Sequence, residues 1–426
     1  MPLHPSVPRA SDAARFGDDP LRFLADGRAA LGDVFVLRED GPVFSRTPDC
    51  SGVVAVFGAQ QHRAVLTDTG TFGMPPSAAQ HLALNERLTN LNRSLHSMRG
   101  EQHDVQKRVL TSVLDSDSID EDELREVLQA FVAQWQPGAR FGLLGTMRAL
   151  TLQLASRVLF GGRHEELSTL LEGYFHLRRE VASPAAGGRI GREELIEIGE
   201  ALDDALRAYL RGGAPGGLAG KLARAGLSED EIVGHANILF VSSTEPIAVA
   251  LTWTLLILSQ LPDLRAQLRD DASLLDRVIS ESLRILPPNG IMVRITTRPA
   301  TLAGIEIPER CEIVICPFVA HRDPARFPDP EEFRPSRWTE TRPSPFHYFP
   351  FGAGGHACVG RGLALRLMHT TLTFLLARHD LLLDGDQEID WRLHIMFMPA
   401  NDPRMIVDGM EAGKLGGPVA ALLHLP

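Results

Sequence analysis

The residues with the clearest capacity for chemistry lie in PFGAGGHACVG, Pro350 to Gly360. One cysteine, Cys358, sits in a run of glycines just ahead of a helix-like stretch. Glycine adopts φ > 0 without steric cost and lets a flat partner approach the main chain. A helix N-terminus beyond the sulfur stabilises negative charge and lowers a thiol pKa. The local physics therefore favours a thiolate at Cys358. Taken alone, a buried and inert cysteine is the simpler account. Three further groups carry ionisable or hydroxyl side chains at telling spacings. His103 and Lys107, in GEQHDVQKR, are four apart and share a helix face. Glu281 and Arg284 are three apart near the end of a helical segment. Ser242-Ser243-Thr244-Glu245-Pro246 places hydroxyls, an acid and a proline in the middle of a long apolar segment.

Together these motifs carry a resemblance. Phe351, Gly354, His356, Cys358 and Gly360 match F-x-x-G-x-H-x-C-x-G, the haem-binding loop of cytochromes P-450. Glu281-Ser282-Leu283-Arg284 matches that family's E-x-x-R helix motif. FRPSRW, Phe333–Trp338, matches the segment whose arginine, Arg337, completes a Glu-Arg-Arg cluster. The chain resembles the family over roughly residues 20–410. The resemblance implies haem b as cofactor, with Cys358 as the proximal thiolate ligand of its iron. A thiolate pushes electron density toward the iron and favours O–O cleavage. His356, Arg294 and the pair His103 and Lys107 would bind haem propionates. Lys107 stands where the family carries arginine, so a planar fork is replaced by a point charge. Glu281, Arg284 and Arg337 would be structural, fixing the segment that leads to the cysteine loop.

One departure from the family pattern bears on mechanism. The family places an acid and a threonine over the haem to relay protons to bound oxygen. Aligned on that motif, the acid is kept as Glu245, but Pro246 replaces the threonine and Ser243 the glycine. Proline within a helix costs about 3 kcal/mol and releases the carbonyl four residues back, here that of Ser242. Ser243 lies on the face of Pro246, one turn earlier. Two readings follow. In one, Ser243, Glu245, an ordered water or the substrate's own hydroxyl replaces the threonine in an ordinary monooxygenase. In the other, weakened protonation belongs to the mechanism, and the outcome is peroxide use, coupling, desaturation or rearrangement.

By resemblance the substrate wall takes in residues 72–96, the loop near 181–191, Phe240 to Ser243, Pro288 to Val293 and Met396-Phe397-Met398. Phe240, Ser242, Met292, Met396 and Phe397 are its named candidates, and adaptable methionines suit a lipophilic guest of moderate size. Met396 and Met398 share one strand face and Phe397 the other. With no spare cysteines for a fused Fe–S module, electrons from NAD(P)H are expected through a separate ferredoxin and reductase, with O2 as co-substrate. Arg99, Arg108, Arg361 and Arg366 are candidates for the basic docking face.

The elements that must position these residues read as α+β, mainly α: a cytochrome P-450 fold, one large helical domain over 1–426 with small sheets. The β-rich portions fall at about 30–70, 291–318 and 380–410, and the helical portions at about 99–290 and 358–379. Residues 59–96 read as irregular. Ser228 and Glu231 form a capping-box pattern ahead of the long apolar helix. GGAPGGLAG, residues 212–220, reads as a flexible hinge. Cys311 and Cys316 are five apart on a strand-like run, so they face opposite sides as small core residues. The 426 residues include 54 acids against 43 bases, a net charge of −11, which disfavours nucleic-acid binding. Four cysteines without a C-x-x-C pair disfavour a disulfide scaffold and a structural zinc site. No signal peptide or N-terminal membrane anchor is legible, so the cytoplasm is the expected compartment; a monomer is expected.

Overall fold

The computed structural model describes residues 16–425, apart from positions 18, 77–83, 115–119, 163, 183–191 and 213–214. Its principal helices are α1 (Pro20–Leu31), α2 (Ala59–Thr67), α3 (Glu86–Leu91), α4 (Gly100–Val113), α5 (Glu121–Val132), α6 (Leu143–Phe160), α7 (Glu165–Ala182), α8 (Arg192–Arg211), α9 (Gly217–Arg224), α10 (Glu229–Ser259), α11 (Pro262–Asp270), α12 (Leu275–Ile285) and α13 (Arg361–Leu376). The strands are β1 (Val34–Arg38), β2 (Val53–Val56), β3 (Phe72–Gly73), β4 (Arg140–Gly142), β5 (Met292–Thr296), β6 (Ala300–Leu302), β7 (Ile305–Ile307), β8 (Glu312–Ile315), β9 (Leu381–Leu383), β10 (Gln387–Glu388), β11 (Trp391–Leu393), β12 (Phe397–Pro399), β13 (Arg404–Val407) and β14 (Leu415–Gly416). Helix dominates and the sheets are small, the class that the periodicities predict.

The largest sheet has the order β1-β2-β8-β5-β3. It joins the two ends of the chain: β2 runs parallel to β8, with Val53 opposite Glu312. β2, β5 and β8 are buried at every position, as expected of strands covered on both faces. Cys311 lies in the smaller apolar cluster on one side of this sheet and Cys316 in the main core on the other. The alternation of strand faces predicts that separation. Glu312 is fully buried, and its carboxylate accepts the backbone N–H groups of Val43, Phe44 and Ser45. That bond set fixes the loop between β1 and β2.

The axis of the molecule is α10. Ser228 accepts the Glu231 N–H at 3.3 Å and donates its own N–H to the Glu231 carboxylate at 2.9 Å, closing the capping box. By length and composition this helix could cross a membrane, but 78% of its most apolar window is buried inside the protein. It is the core helix, and it stays helical through Pro246.

Two expectations are corrected. Residues 59–67 are helical, not irregular or β: α2 buries His62, Val65 and Leu66 along one face. Nine residues with three apolar-facing positions give too little periodicity to read. The glycine-rich stretch at 212–220 is not a hinge over its described part. Gly217 has φ +54°, and a Cβ on Gly161 would lie 2.7 Å from the Gly217 nitrogen. The glycines here permit close backbone contact between the end of α6 and the start of α9. The Tyr209 hydroxyl locks that contact, donating to the Phe160 carbonyl at 2.7 Å and accepting the Gly216 N–H at 2.8 Å.

Candidate functional site

The cysteine loop is a closed turn. The Cys358 N–H donates to the Phe351 carbonyl at 2.9 Å, and the Gly352 N–H to that of Phe349 at 2.9 Å. Gly354 has φ +69°, and a Cβ there would lie 2.0 Å from the Leu66 carbonyl oxygen. This glycine therefore serves contact with the end of α2, where the sequence suggested room for a flat partner. Cys358 stands three residues ahead of α13, and its side chain remains solvent-reachable. Protein crowding on its other sides pushes the thiol pKa up, while the Gly360 N–H, Lys107 and Arg361 pull it down.

Basic side chains reach this loop from two elements. From α4, His103 lies ring to ring with His356 at 4.6 Å, and the Lys107 ammonium donates to the Gly355 carbonyl. Both of these α4 residues thus meet the loop, as their four-residue spacing predicts. From β5 comes Arg294, only 4% exposed. Among the described residues its one side-chain bond goes to the Val293 carbonyl at 2.8 Å, and its buried Nε has no partner. Burial lowers its pKa to about 10. Burial also lowers His356 to about 3, with Arg294, His103, His96 and Lys107 adding repulsion. Lys107 is lowered chiefly by burial. Arg294 and Lys107 thus bring positive charge to this loop, and among the described residues no carboxylate bonds Arg294.

The Glu-Arg-Arg cluster forms as expected, and more fully. Both Glu281 oxygens accept Arg284, at 2.9 Å each, and Oε1 also accepts Arg337 Nε at 2.8 Å. The Arg334 N–H and Trp338 Nε1 complete the set at 2.9 and 3.0 Å. Sequence reasoning missed Trp338, although it is the last residue of the FRPSRW segment. Arg284 and Arg337 spend their remaining donors on carbonyls of residues 321–332. The Tyr348 hydroxyl donates to the Ser280 carbonyl at 2.8 Å, which ties the approach to the cysteine loop onto α12.

Along α10 an open stripe interrupts a buried helix. Residues 232–237 and 247–259 are buried, whereas Ser242 is exposed and Ile238, Ser243 and Pro246 are half-buried. The relay candidates do not all face that opening freely. Ser243 Oγ donates to the Phe240 carbonyl at 3.1 Å. Glu245 is gripped by Arg148 of α6, whose Nε donates at 2.9 Å and whose second prong bonds the other carboxylate oxygen.

Two substrate-wall candidates are corrected. Phe397 is fully buried against Trp253, Phe318 and Trp391, so it is core. Phe240, 1% exposed, also belongs to the core. Met292 packs toward Gly352 of the cysteine loop, and Met396 is half-buried just ahead of β12. The segments 288–291 and 395–397 are joined by backbone bonds, so those two stretches form one surface. The expected wall residues at 77–83 and 183–191 lie outside the described residues. Of the docking arginines, Arg108 and Arg361 are exposed. Arg99 is exposed as well and donates to the Met74 carbonyl, whereas Arg366 pairs with Glu121 at 3.0 Å. A surface cleft of about 1000 Å³ beside α1 is lined by Arg28, Asp33, Arg322 and Asp323 and includes none of the site residues that the sequence singles out.

The family model described as Cytochrome P450 matches residues 218–405. The chain is 28% identical to cyclooctat-9-en-7-ol 5-monooxygenase of Streptomyces melanosporofaciens, over 65% of this chain and 70% of that one. It is 25% identical to pentalenene oxygenase of Streptomyces avermitilis, over 90% and 92% respectively. The chain belongs to the cytochrome P450 superfamily. It is accordingly an oxidoreductase of the cytochrome P450 monooxygenase class. The fold agrees with solved cytochrome P450 structures. Retinoic acid-bound cyanobacterial CYP120A1 superposes with a TM-score of 0.76 at 22% identity, covering 95% of this chain and 99% of that one. A six-coordinated cytochrome P450 from Thermus thermophilus gives 0.72 at 23% identity, covering 94% and 100%.

Membership in the cytochrome P450 superfamily implies haem, O2 and electrons from redox partners. The donor set suits such a group. A buried guanidinium lacking an anion is costly unless a carboxylate arrives to meet it. Haem carries two propionates, and Arg294 with Lys107 and the imidazoles of His103 and His356 would receive them.

Proposed function

We propose that this chain, acting as a single domain, is a haem-thiolate monooxygenase that hydroxylates or epoxidises a lipophilic small molecule of terpenoid type. The unbalanced charge of Arg294 beside the Cys358 loop is the observation that carries the reading. Cys358 would be the iron's thiolate ligand, since a coordinating thiol is deprotonated outright by the metal. Arg294, His356, His103 and Lys107 would hold the propionates. When bound, the haem supplies O2 activation and insertion of one oxygen atom into a C–H bond. Glu281, Arg284 and Arg337 hold the meander that carries the loop. The names of the two bacterial relatives, both acting on terpenoid compounds, support that substrate class. A ferredoxin and its reductase would supply the electrons, docking at Arg108 and Arg361. A monomer in the cytoplasm suits this reading.

A second reading, in which the outcome is peroxide use, coupling, desaturation or rearrangement, is favoured by one observation. Pro246 has no hydroxyl, and the hydroxyl of Ser243 and the carboxylate of Glu245 are already bonded elsewhere. Single-turnover oxidation of a panel of terpenoids tests both, comparing electrons plus O2 with hydrogen peroxide. The reduced carbon monoxide spectrum is recorded on the same sample. A thiolate-type band with product only from O2 and electrons supports the first reading. The same band with efficient peroxide turnover supports the second. Absence of the band overturns the role of Cys358.

A further inference from the structure

Four side chains in the stretch before Pro246 carry exchangeable protons or accept them: Ser242, Ser243, Thr244 and Glu245. Three are committed. Ser243 Oγ bonds the Phe240 carbonyl at 3.1 Å, and Thr244 Oγ1 bonds the Val241 carbonyl at 3.2 Å. Glu245 is held by Arg148. Ser242 differs: it is exposed, and its hydroxyl bonds none of the described residues. Its backbone differs too. Pro246 has no N–H, so the Ser242 carbonyl lacks the bond that residue i+4 normally supplies. One residue therefore offers a hydroxyl that donates and accepts, together with a carbonyl that accepts. Ile238, Ser242 and Pro246 repeat every four residues, so they lie along one face. It is the face on which an otherwise buried α10 is open.

We propose that Ser242 is a positioning residue of the oxidation, holding one hydroxyl group against the proline break with its side chain and its carbonyl. That O–H belongs either to an oxygenated substrate or to an ordered water. It donates to the Ser242 carbonyl and accepts from Ser242 Oγ. The assignment rests on the monooxygenase reading above, and it moves the polar function of the motif from Ser243 to Ser242. It also explains how a helix carrying proline in place of a hydroxyl residue keeps a polar contact at this point.

The test uses the full-length holoprotein with Ser242→Ala and Ser242→Thr, the second restoring a hydroxyl. The probes are cedrol and its hydrocarbon cedrane, which share a skeleton and differ in one hydroxyl. Affinity is measured by calorimetric titration, and peroxide release by NADPH-driven turnover with a ferredoxin and reductase. If the substrate supplies the O–H, the protein prefers cedrol by about tenfold, the worth of one well-formed hydrogen bond. Ser242→Ala abolishes that preference and Ser242→Thr restores it. If water supplies the O–H, Ser242→Ala leaves both affinities alike. It then diverts electrons to peroxide, with O2 taking two electrons and two protons to give H2O2, and Ser242→Thr reverses this. The proposal is overturned if Ser242→Ala changes neither the preference nor the peroxide yield. It is equally overturned if Ser243→Ala produces those changes and Ser242→Ala does not. A wild-type protein lacking the thiolate-type carbon monoxide band would instead sink the underlying monooxygenase reading, so the two failures are distinguishable.

Discussion

Arg148 and Glu245, 97 residues apart in sequence, form a two-pronged ion pair between α6 and α10. The Glu245 side chain is 9% exposed and that of Arg148 is 34% exposed. The acid kept from the family motif is thus anchored to a neighbouring helix one residue before the proline. Truncating Arg148 leaves a nearly buried carboxylate unpaired. Arg148→Met is expected to destabilise the fold by about 2–4 kcal/mol, somewhat less than a wholly buried pair because the arginine is partly solvated. Glu245→Gln should recover part of that loss in the double variant. Chemical denaturation of the four proteins checks this, and strictly additive losses would mean the pair is uncoupled.

Glu281 accepts five donors in a place that water does not reach. Glu281→Gln leaves two buried guanidinium groups without their counter-charge, with an expected cost of about 3–5 kcal/mol. Trp338→Phe removes one bond to that carboxylate and keeps most of the ring, at a cost of about 2 kcal/mol. Thermal unfolding ranks the two variants, and an equal cost would refute the dominance of charge in the cluster.

Arg294 yields effects of opposite sign in two states. As a buried cation without an anion, it destabilises the haem-free fold. Arg294→Leu should raise the stability of the haem-free protein by about 1–3 kcal/mol. The same change should weaken haem retention, read as the rate of haem transfer to an acceptor protein. Retention that matches the wild type would remove Arg294 from the cofactor site.

His235 makes stability depend on pH. Its Nε2 donates to Gln106 Oε1 at 2.9 Å, since Gln106 Nε2 is already given to Glu231. Burial lowers its pKa from 6.5 to about 4, with Glu231 opposing and Arg93 reinforcing the shift. Between those values the unfolded chain holds a proton that the folded chain refuses. Stability from this residue is present above pH 6.5 and is lost as pH falls toward 4, on the order of 3 kcal/mol in full. Unfolding free energies for wild type and His235→Gln across that range should diverge in slope, the variant being flatter. Parallel profiles would show that His235 is accessible to protons when folded.

Much of this protein is determined by its sequence alone, because the decisive signals are local. Glycines at fixed offsets from Cys358, a serine and glutamate three apart at the head of α10, and strand alternation around Cys311 and Cys316 each act within a few residues. Steric and hydrogen-bonding rules at that range need no knowledge of the fold. The pairing of His103 and Lys107 on one helix face belongs to the same class.

Tertiary structure alone decided the partners. No spacing rule brings Arg148 to Glu245, Trp338 to Glu281 or the Leu66 carbonyl to Gly354, since each contact joins segments that only packing makes adjacent. The same holds for Phe397 and Phe240, which are apolar residues equally suited to a pocket wall or a core until their neighbours are known. It holds as well for residues 212–220, whose glycines suggest freedom by composition but in their described part serve close backbone contact. Side-chain identity states what a residue is able to do; the atoms that surround it, set by long-range packing, select which of those capacities is used.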